Sequence, residues 1–235
     1  MKDILFFSHN QKKIIEVKQI FKNNKTKVYD LNSFKKIKEP RETGTTFASN
    51  AKIKSKYGQE LFNMPCFADD SGFCVEALKN NPGVKSKRFL EKFSNNKKAF
   101  EYIISNVVKN KNNKAFFITA ISLTLKENHH IIFLGKINGT VSLEPKGTNG
   151  FGYDPIFIPE NNNKTFAEMN LEEKNIISHR KIAITKLKSF LFWYDACFAI
   201  FNLQNLKVSV YSIVWEIKIT IYSYKSYFTI LESFI

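Results

Sequence analysis

The sequence predicts an α/β protein, and three observations carry that reading. Up to about residue 191, short apolar runs alternate with stretches whose apolar residues recur at helical spacing. Two long strand-like runs follow one another near the middle of the 235-residue chain. From about residue 192 the composition changes, which divides residues 1–191, read as one domain, from an atypical apolar extension at 192–235.

The elements follow in order. Residues 3–8 (DILFFS) are a short apolar strand, and Ile14, Val17, Ile20 and Phe21 then recur at helical spacing behind Asn10, which is placed to cap. A second helix starts at Thr45 or Thr46 and runs through FASNAKIKSKYGQELF; Pro65 and the strand-like CFA follow, and the strand runs out at the aspartates of FADDSG. NNPG at 80–83 is a turn and a helix spans about 95–109. KAFFITAISLTL and HIIFLGKINGTVSL are neighbouring strands with KENHH as their loop, and LEEKNIISHRKIAITKLKSFL is one closing helix that ends near Leu191.

The net charge of +15 favours anionic partners such as phosphates, nucleic acid or a membrane surface. Nucleic acid is disfavoured because no helix-turn-helix, ribonucleoprotein or zinc-finger pattern is present and the lysines are scattered. Cys66, Cys74 and Cys197 are odd in number and form no CxxC pair, so neither a disulfide framework nor a zinc site is indicated and a reducing cytoplasm fits. The last 44 residues hold 12 of the 34 aromatics, yet their three basic and three acidic residues cancel. SFLFWYDACFAIFNL is short of the roughly 18 residues of a membrane span, so no membrane is expected, and KVSVYSIVWEIKITIYSY alternates like a strand. An added strand pair and the translation of a displaced reading frame are both open for this extension, and the abundance of Lys, Asn, Ile, Phe and Tyr suits the second.

Five stretches could carry phosphate chemistry. SHNQKK (8–13) sits in a strand-to-helix turn, where free N–H groups and the helix dipole attract an anion and Lys12 and Lys13 add charge. KEPRETG supplies Glu39 and Glu42, FADDSG the adjacent Asp69 and Asp70, GFGYDPIF a Gly-aromatic turn, and EKNIISHR places Lys174, His179 and Arg180 on the last helix. Each has a plainer reading: solvated lysines, an Asp-Asp turn before Ser-Gly, a hydrogen-bonded structural histidine, a loop packing its aromatic.

Taken together and in order, SHNQKKIIE, ETGTTFASNA, FADDSGFCVEAL, PGVKSKRF, GFGYDPIF and EKNIISHR resemble the inosine/xanthosine triphosphate pyrophosphatase family from residue 3 to about 190. The resemblance implies a mixed α/β fold with a long twisted sheet, flanking helices, two lobes and a central cleft. It implies Mg²⁺-dependent hydrolysis of deaminated purine nucleoside triphosphates to the monophosphate and pyrophosphate, by a cytoplasmic homodimer. Carried over by position, Ser8, Asn10 and Lys13, in a turn shared with His9, Gln11 and Lys12, hold the triphosphate. Asp70 is the catalytic carboxylate and a metal ligand, and Ser71 touches substrate. Phe151, Gly152, Tyr153, Asp154, Lys174, His179 and Arg180 form the nucleotide pocket. Arg41 stands where the family's metal-binding glutamate usually lies, which leaves Glu42, favoured, or Glu39, with Asp69 as a further candidate. His9 stands where Gly is frequent, and Phe73 replaces a commoner Leu. A same-fold pyrophosphatase for modified pyrimidine triphosphates and a basic nucleic-acid-binding protein are the alternatives.

Overall fold

A computed structural model of the chain describes residues 3–34, 37–126 and 129–204. The strands are β1 (Asp3–Phe6), β2 (Lys27–Asp30), β3 (Cys66–Val75), β4 (Asn81–Pro82), β5 (Lys114–Lys126), β6 (His129–Val141) and β7 (Phe157–Pro159). The helices are α1 (Gln11–Phe21), α2 (Phe47–Phe62), α3 (Ser86–Leu90), α4 (Asn96–Asn110), α5 (Leu171–Ile177) and α6 (His179–Gln204).

The seven strands form one mixed sheet in the order β2-β1-β3-β5-β6-β7, with β4 on β3. β1 runs parallel to β2 and β3; the β3–β5, β5–β6 and β6–β7 pairs are antiparallel. The expected mixed α/β architecture is therefore present. β5 and β6 pair along almost their whole length, and the strand signal in His129 and His130 extends β6 into the stretch read as loop.

The long strands connect two of the three apolar clusters among the described residues, the third being Leu5, Phe7, Leu31, Cys66 and Ala68. Toward one end, Phe6, Phe67, Leu123 and Phe133 pack under Val17 and Phe21 of α1 and Ile184, Leu187 and Leu191 of α6. Toward the other, Phe73, Phe117, Val141 and Phe157 pack under Phe100, Ile103 and Val107 of α4. Helices α1 and α2 are capped at their starts: Asn10 accepts from the Lys13 N–H, and Thr46 and Ser49 form a reciprocal box at the start of α2.

Three expectations are corrected. FADDSG is not a turn, because β3 runs on through both aspartates to Val75, paired residue for residue with β5 (Asp69 opposite Ile121, Asp70 opposite Ala120). The Asp-Ser-Gly turn preference is local, and ten consecutive pairings override it. The closing helix is two helices, since Ser178 is extended (ψ 152°) and its Oγ accepts from the Lys181 N–H, so it caps α6 instead of continuing α5. α6 does not stop near Leu191; it continues to Gln204, with Phe192, Trp193 and Tyr194 exposed. The strand expected in KVSVYSIVWEIKITIYSY lies outside the described residues.

Candidate active site

Side chains along a strand alternate between the two faces of its sheet. On β3, Phe67, Asp69, Ser71 and Phe73 share the face that carries α1 and α6, and Asp70 lies on the opposite face under α2. Adjacent carboxylates therefore do not confront each other, and the charges of Lys13 and Lys54 act on both, with Arg180 bonded only to Asp69 of the two. This is the physical reason the pair is tolerated.

On the first face Asp69, only 2 % exposed, accepts hydrogen bonds from Lys13 Nζ (3.0 Å), Ser71 Oγ (2.8 Å) and Arg180 Nη2 (3.1 Å). Burial pushes its carboxyl up, but Lys13, Arg180 and Lys54 outweigh that and hold it well below the usual carboxylate range. Asp69 is thus a fixed anion. Arg180, 1 % exposed, also donates through Nη1 to Glu16 and through Nη2 to Ser71 Oγ. Glu16 passes the chain on to Lys174 (2.9 Å), and Lys174 donates to Asp154 (2.6 Å). Asp154 in turn accepts from the Phe151 N–H (2.7 Å) between Gly150 and Gly152, both in the left-handed region. One buried relay of alternating charge thereby ties α1, β3, α5, α6 and the Gly150–Asp154 turn together.

On the second face Asp70, 7 % exposed, accepts from Asn50 Nδ2 (3.0 Å) and from the Ser71 N–H (3.0 Å). Asn50 is held because its Oδ1 accepts from the Gly44 N–H (2.8 Å). Lys54, one helical turn on, donates to the Asp69 carbonyl and pairs with Glu42 (2.9 Å). Burial raises the Asp70 carboxyl above its ordinary value; Lys54 and Asn50 pull it down, and the charge of Glu42 pushes it up again. A carboxylate kept partly basic beside a fixed anion is the division of labour that acid–base catalysis needs.

The two faces meet at an edge. β1 ends at Phe6 while β3 continues, and the turn Phe7–Asn10 occupies the space beyond the carboxyl end of β1. Such crevices are where α/β sheets bind ligands. Lys13 sits at this edge, and its charge acts on Asp69, Asp70 and Glu42 alike. Burial draws the Lys13 ammonium below its ordinary value despite Asp69.

Most of the expected residues converge here: Lys13, Glu42, Asp69, Asp70, Ser71, Asp154, Lys174, His179 and Arg180. Ser8 accepts from the Asn10 N–H (3.2 Å) and shapes the turn, and Lys12 donates to the Gly150 carbonyl (2.8 Å) and faces the Phe151 ring (6.0 Å). The Phe151 ring also lies 4.8 Å from Lys174 Nζ. His179 stacks on Phe117 at 4.8 Å and 8°, its Nδ1 buried without a partner. Burial, with Arg180 and Lys174 adding to it, pushes that imidazole well below its usual value, so it is neutral.

Others are placed elsewhere. The Tyr153 ring packs on Phe73 (4.9 Å) inside the second core and its hydroxyl donates to the Ser86 carbonyl, because an aromatic ring is worth more in that core than in a polar cleft. Gln11 accepts from Asn32 (2.8 Å), away from Asp70. Glu39 is bonded to His9, whereas Glu42 is the glutamate beside Lys54 and Asp70. Gly152 lies in the left-handed region within the Gly150–Asp154 turn.

Four contributors carry no role in the sequence reading: Glu16, Asn50, Lys54 and Thr119, whose Oγ1 meets Ser71 Oγ. Asn50, Lys54, Ser55 and Gln59 lie on the buried face of α2, which is polar, so apolar periodicity points away from them. Glu16 was visible as the last residue of SHNQKKIIE. Cys66 and Cys74 are buried free thiols. Among the described residues no helix is long and apolar enough to cross a membrane.

Known proteins share the sequence pattern and the fold. The Ham1 family pattern matches residues 4–190. The dITP/XTP pyrophosphatase of Borrelia duttonii (strain Ly) is 42% identical over 201 residues, covering 81% of this chain and 98% of that protein. That of Porphyromonas gingivalis (strain ATCC BAA-308 / W83) is 38% identical over 194 residues, covering 81% and 98%. Among solved structures, a HAM1 protein from Coxiella burnetii superposes with a TM-score of 0.74 at 33% identity over 82% of this chain and 99% of its own, and the Staphylococcus aureus Ham1 protein with 0.72 at 34% over 82% and 100%. The fold, the ordered motifs and these relatives together establish that the chain belongs to the Ham1 family.

Proposed function

We propose that the chain hydrolyses deaminated purine nucleoside triphosphates such as dITP, ITP and XTP to the monophosphate and pyrophosphate. The observation that carries this reading is the edge of β3, where a carboxyl of raised proton affinity, a fixed anion and buried cations from α1, α2 and α6 cluster. The names of the relatives, dITP/XTP pyrophosphatases, support it.

The donor set suits a hard divalent cation. Asp70 and Glu42 flank Lys54 and feel each other's charge, and no group of three His, Cys, Asp or Glu among the described residues forms a closed cage. Mg²⁺ binds through one or two carboxylates together with water and substrate phosphates. When bound by Asp70 and Glu42, it would neutralise charge on the phosphoryl oxygens.

The protein's own groups supply the remainder. Lys13 and the N–H groups before α1 bind the polyphosphate. Asp70 orients a water on the α-phosphorus and accepts its proton; the new O–P bond forms as the α–β bridge breaks, and pyrophosphate leaves with the bond pair. Lys13 and Lys54 stabilise the charge that grows on the departing oxygens. The Asp69–Arg180–Glu16–Lys174–Asp154 relay holds these groups and the Phe151 turn in place.

For the base, Phe151 offers a stacking face and His179 a neutral ring. Arg180 donates through its two terminal nitrogens to Glu16, Asp69 and Ser71 and keeps a buried Nε without a partner among the described residues, and the Phe151 N–H is taken by Asp154. A donor at the purine 6-oxo group favours hypoxanthine and xanthine and leaves adenine with donor facing donor. We place the enzyme in the cytoplasm as a homodimer that cleanses the nucleotide pool.

The test is a panel of nucleoside triphosphates with Mg²⁺, scored for pyrophosphate against orthophosphate. ITP, dITP and XTP should each give pyrophosphate and outpace ATP and GTP. Equal cleavage of ATP or GTP would end the specificity assignment, and faster cleavage of modified pyrimidine triphosphates would favour that alternative.

A further inference from the structure

The turn that precedes α1 already holds a carboxylate. Glu39 Oε1 accepts the His9 backbone N–H (3.0 Å) and lies 2.9 Å from His9 Nδ1. An N–H in that position, immediately before the cap of an eleven-residue helix, is the kind of donor a phosphate oxygen uses. Glu39 sits on a segment without regular structure (37–46), whose other glutamate, Glu42, reaches Lys54. Pro40 stiffens the short path between them. The segment therefore bridges the phosphate turn and the carboxylate face, with one acid anchored at each.

We propose that Glu39 is a tethered competitor for the polyphosphate, occupying the His9 N–H until the incoming chain displaces it. The inference rests on the reading of this turn as a polyphosphate site and deepens it. Displacement is feasible because both partners are about one-third exposed, at 36% and 35%. Such pairs are weakly held and are readily exchanged for a multiply charged ligand. A carboxylate left beside that ligand would also repel it. The metal-ligand role is the competing explanation for Glu39, and its engagement with His9, apart from Asp70, weighs against it.

The consequence is a gain of affinity on removing a site residue, which a structural role would not give. Binding of inorganic tripolyphosphate is measured by calorimetry in metal-free buffer and again with Mg²⁺, for the parent, Glu39→Ala and Glu39→Gln. Both variants should bind about 3- to 10-fold more tightly in both buffers, the range expected for removing an exposed charge-assisted contact. The Gln side chain tests the charge with nearly unchanged shape and serves if the Ala variant folds poorly. Unchanged or weaker binding by the variants, or a loss confined to the Mg²⁺ buffer as for a metal ligand, would overturn the proposal alone. Failure of the parent to bind tripolyphosphate in either buffer would overturn the polyphosphate reading as well.

Discussion

Replacing Asp70 by Asn separates chemistry from architecture at one atom pair. The Asn carbonyl can keep the Ser71 N–H bond, but its amide then faces Asn50 Nδ2 at 3.0 Å, donor against donor. Asn50 cannot turn over without losing the Gly44 N–H held at 2.8 Å. One hydrogen bond is lost and a buried donor left unmet, a cost of about 1–3 kcal/mol. Against this, a carboxylate whose burial already raises its proton affinity is no longer held ionised, which offsets part of that cost. Net destabilisation should therefore be about 1 kcal/mol, read by urea denaturation. Turnover of ITP should fall by at least about 10²–10⁴-fold, the range for loss of a general base. The acid limb of the parent's kcat/KM profile, which follows deprotonation of the raised Asp70 carboxyl, should disappear from any residual activity. Activity within tenfold of the parent's in a folded Asp70→Asn protein would refute the assignment.

Arg180→Met leaves Glu16 and Asp69 buried with less compensation and should cost about 3–5 kcal/mol in denaturant unfolding; a loss under 1 kcal/mol would show that the relay is not structural. His179 stays neutral in the fold, while the unfolded chain takes up a proton below its ordinary value of 6.5. Its folded value is depressed, so its contribution to stability declines as pH falls below about 6.5. His179→Phe should flatten the melting temperature against pH between about 6.5 and 5, and an unaltered slope would contradict the neutral assignment. Among the described residues Leu191 is the last of α6 in the first core, and the family pattern ends at residue 190. Truncation after Leu191 should accordingly preserve ITP hydrolysis and improve solubility by removing Phe192, Trp193 and Tyr194; an unfolded product would assign the extension a structural part.

The fold was legible where the signal is local. Apolar spacing at Ile14, Val17 and Ile20 and the caps Asn10 and Thr46 mark α1 and α2 correctly, and the β5–β6 pair is plain in its composition. It was not legible where pairing decides. Asp-Asp-Ser-Gly reads as a turn, and only β5 on one side and the cations around it make it the middle of a strand. β2 is four residues long with little apolar content, and its existence depends on β1. Ser178 separates α5 from α6 by a side-chain cap on the Lys181 N–H that hydrophobic period cannot register. At the site, ordered motifs point to Lys13, Asp70 and Arg180, but they do not say that Asp69 and Asp70 face opposite ways, nor that Tyr153 turns into the core. Lys54 escapes notice because a buried lysine on a polar helix face resembles a surface one until its partners are known.

In the proposed reaction, water positioned at the edge of β3 by Asp70 attacks the α-phosphorus. Hydrolysis of ITP in ¹⁸O-enriched water, followed by mass spectrometry of the products, tests it directly. The label should enter inosine monophosphate and be absent from pyrophosphate. Label in pyrophosphate, or in orthophosphate released first, would place the attack on another phosphorus and rule out attack at the α-phosphorus.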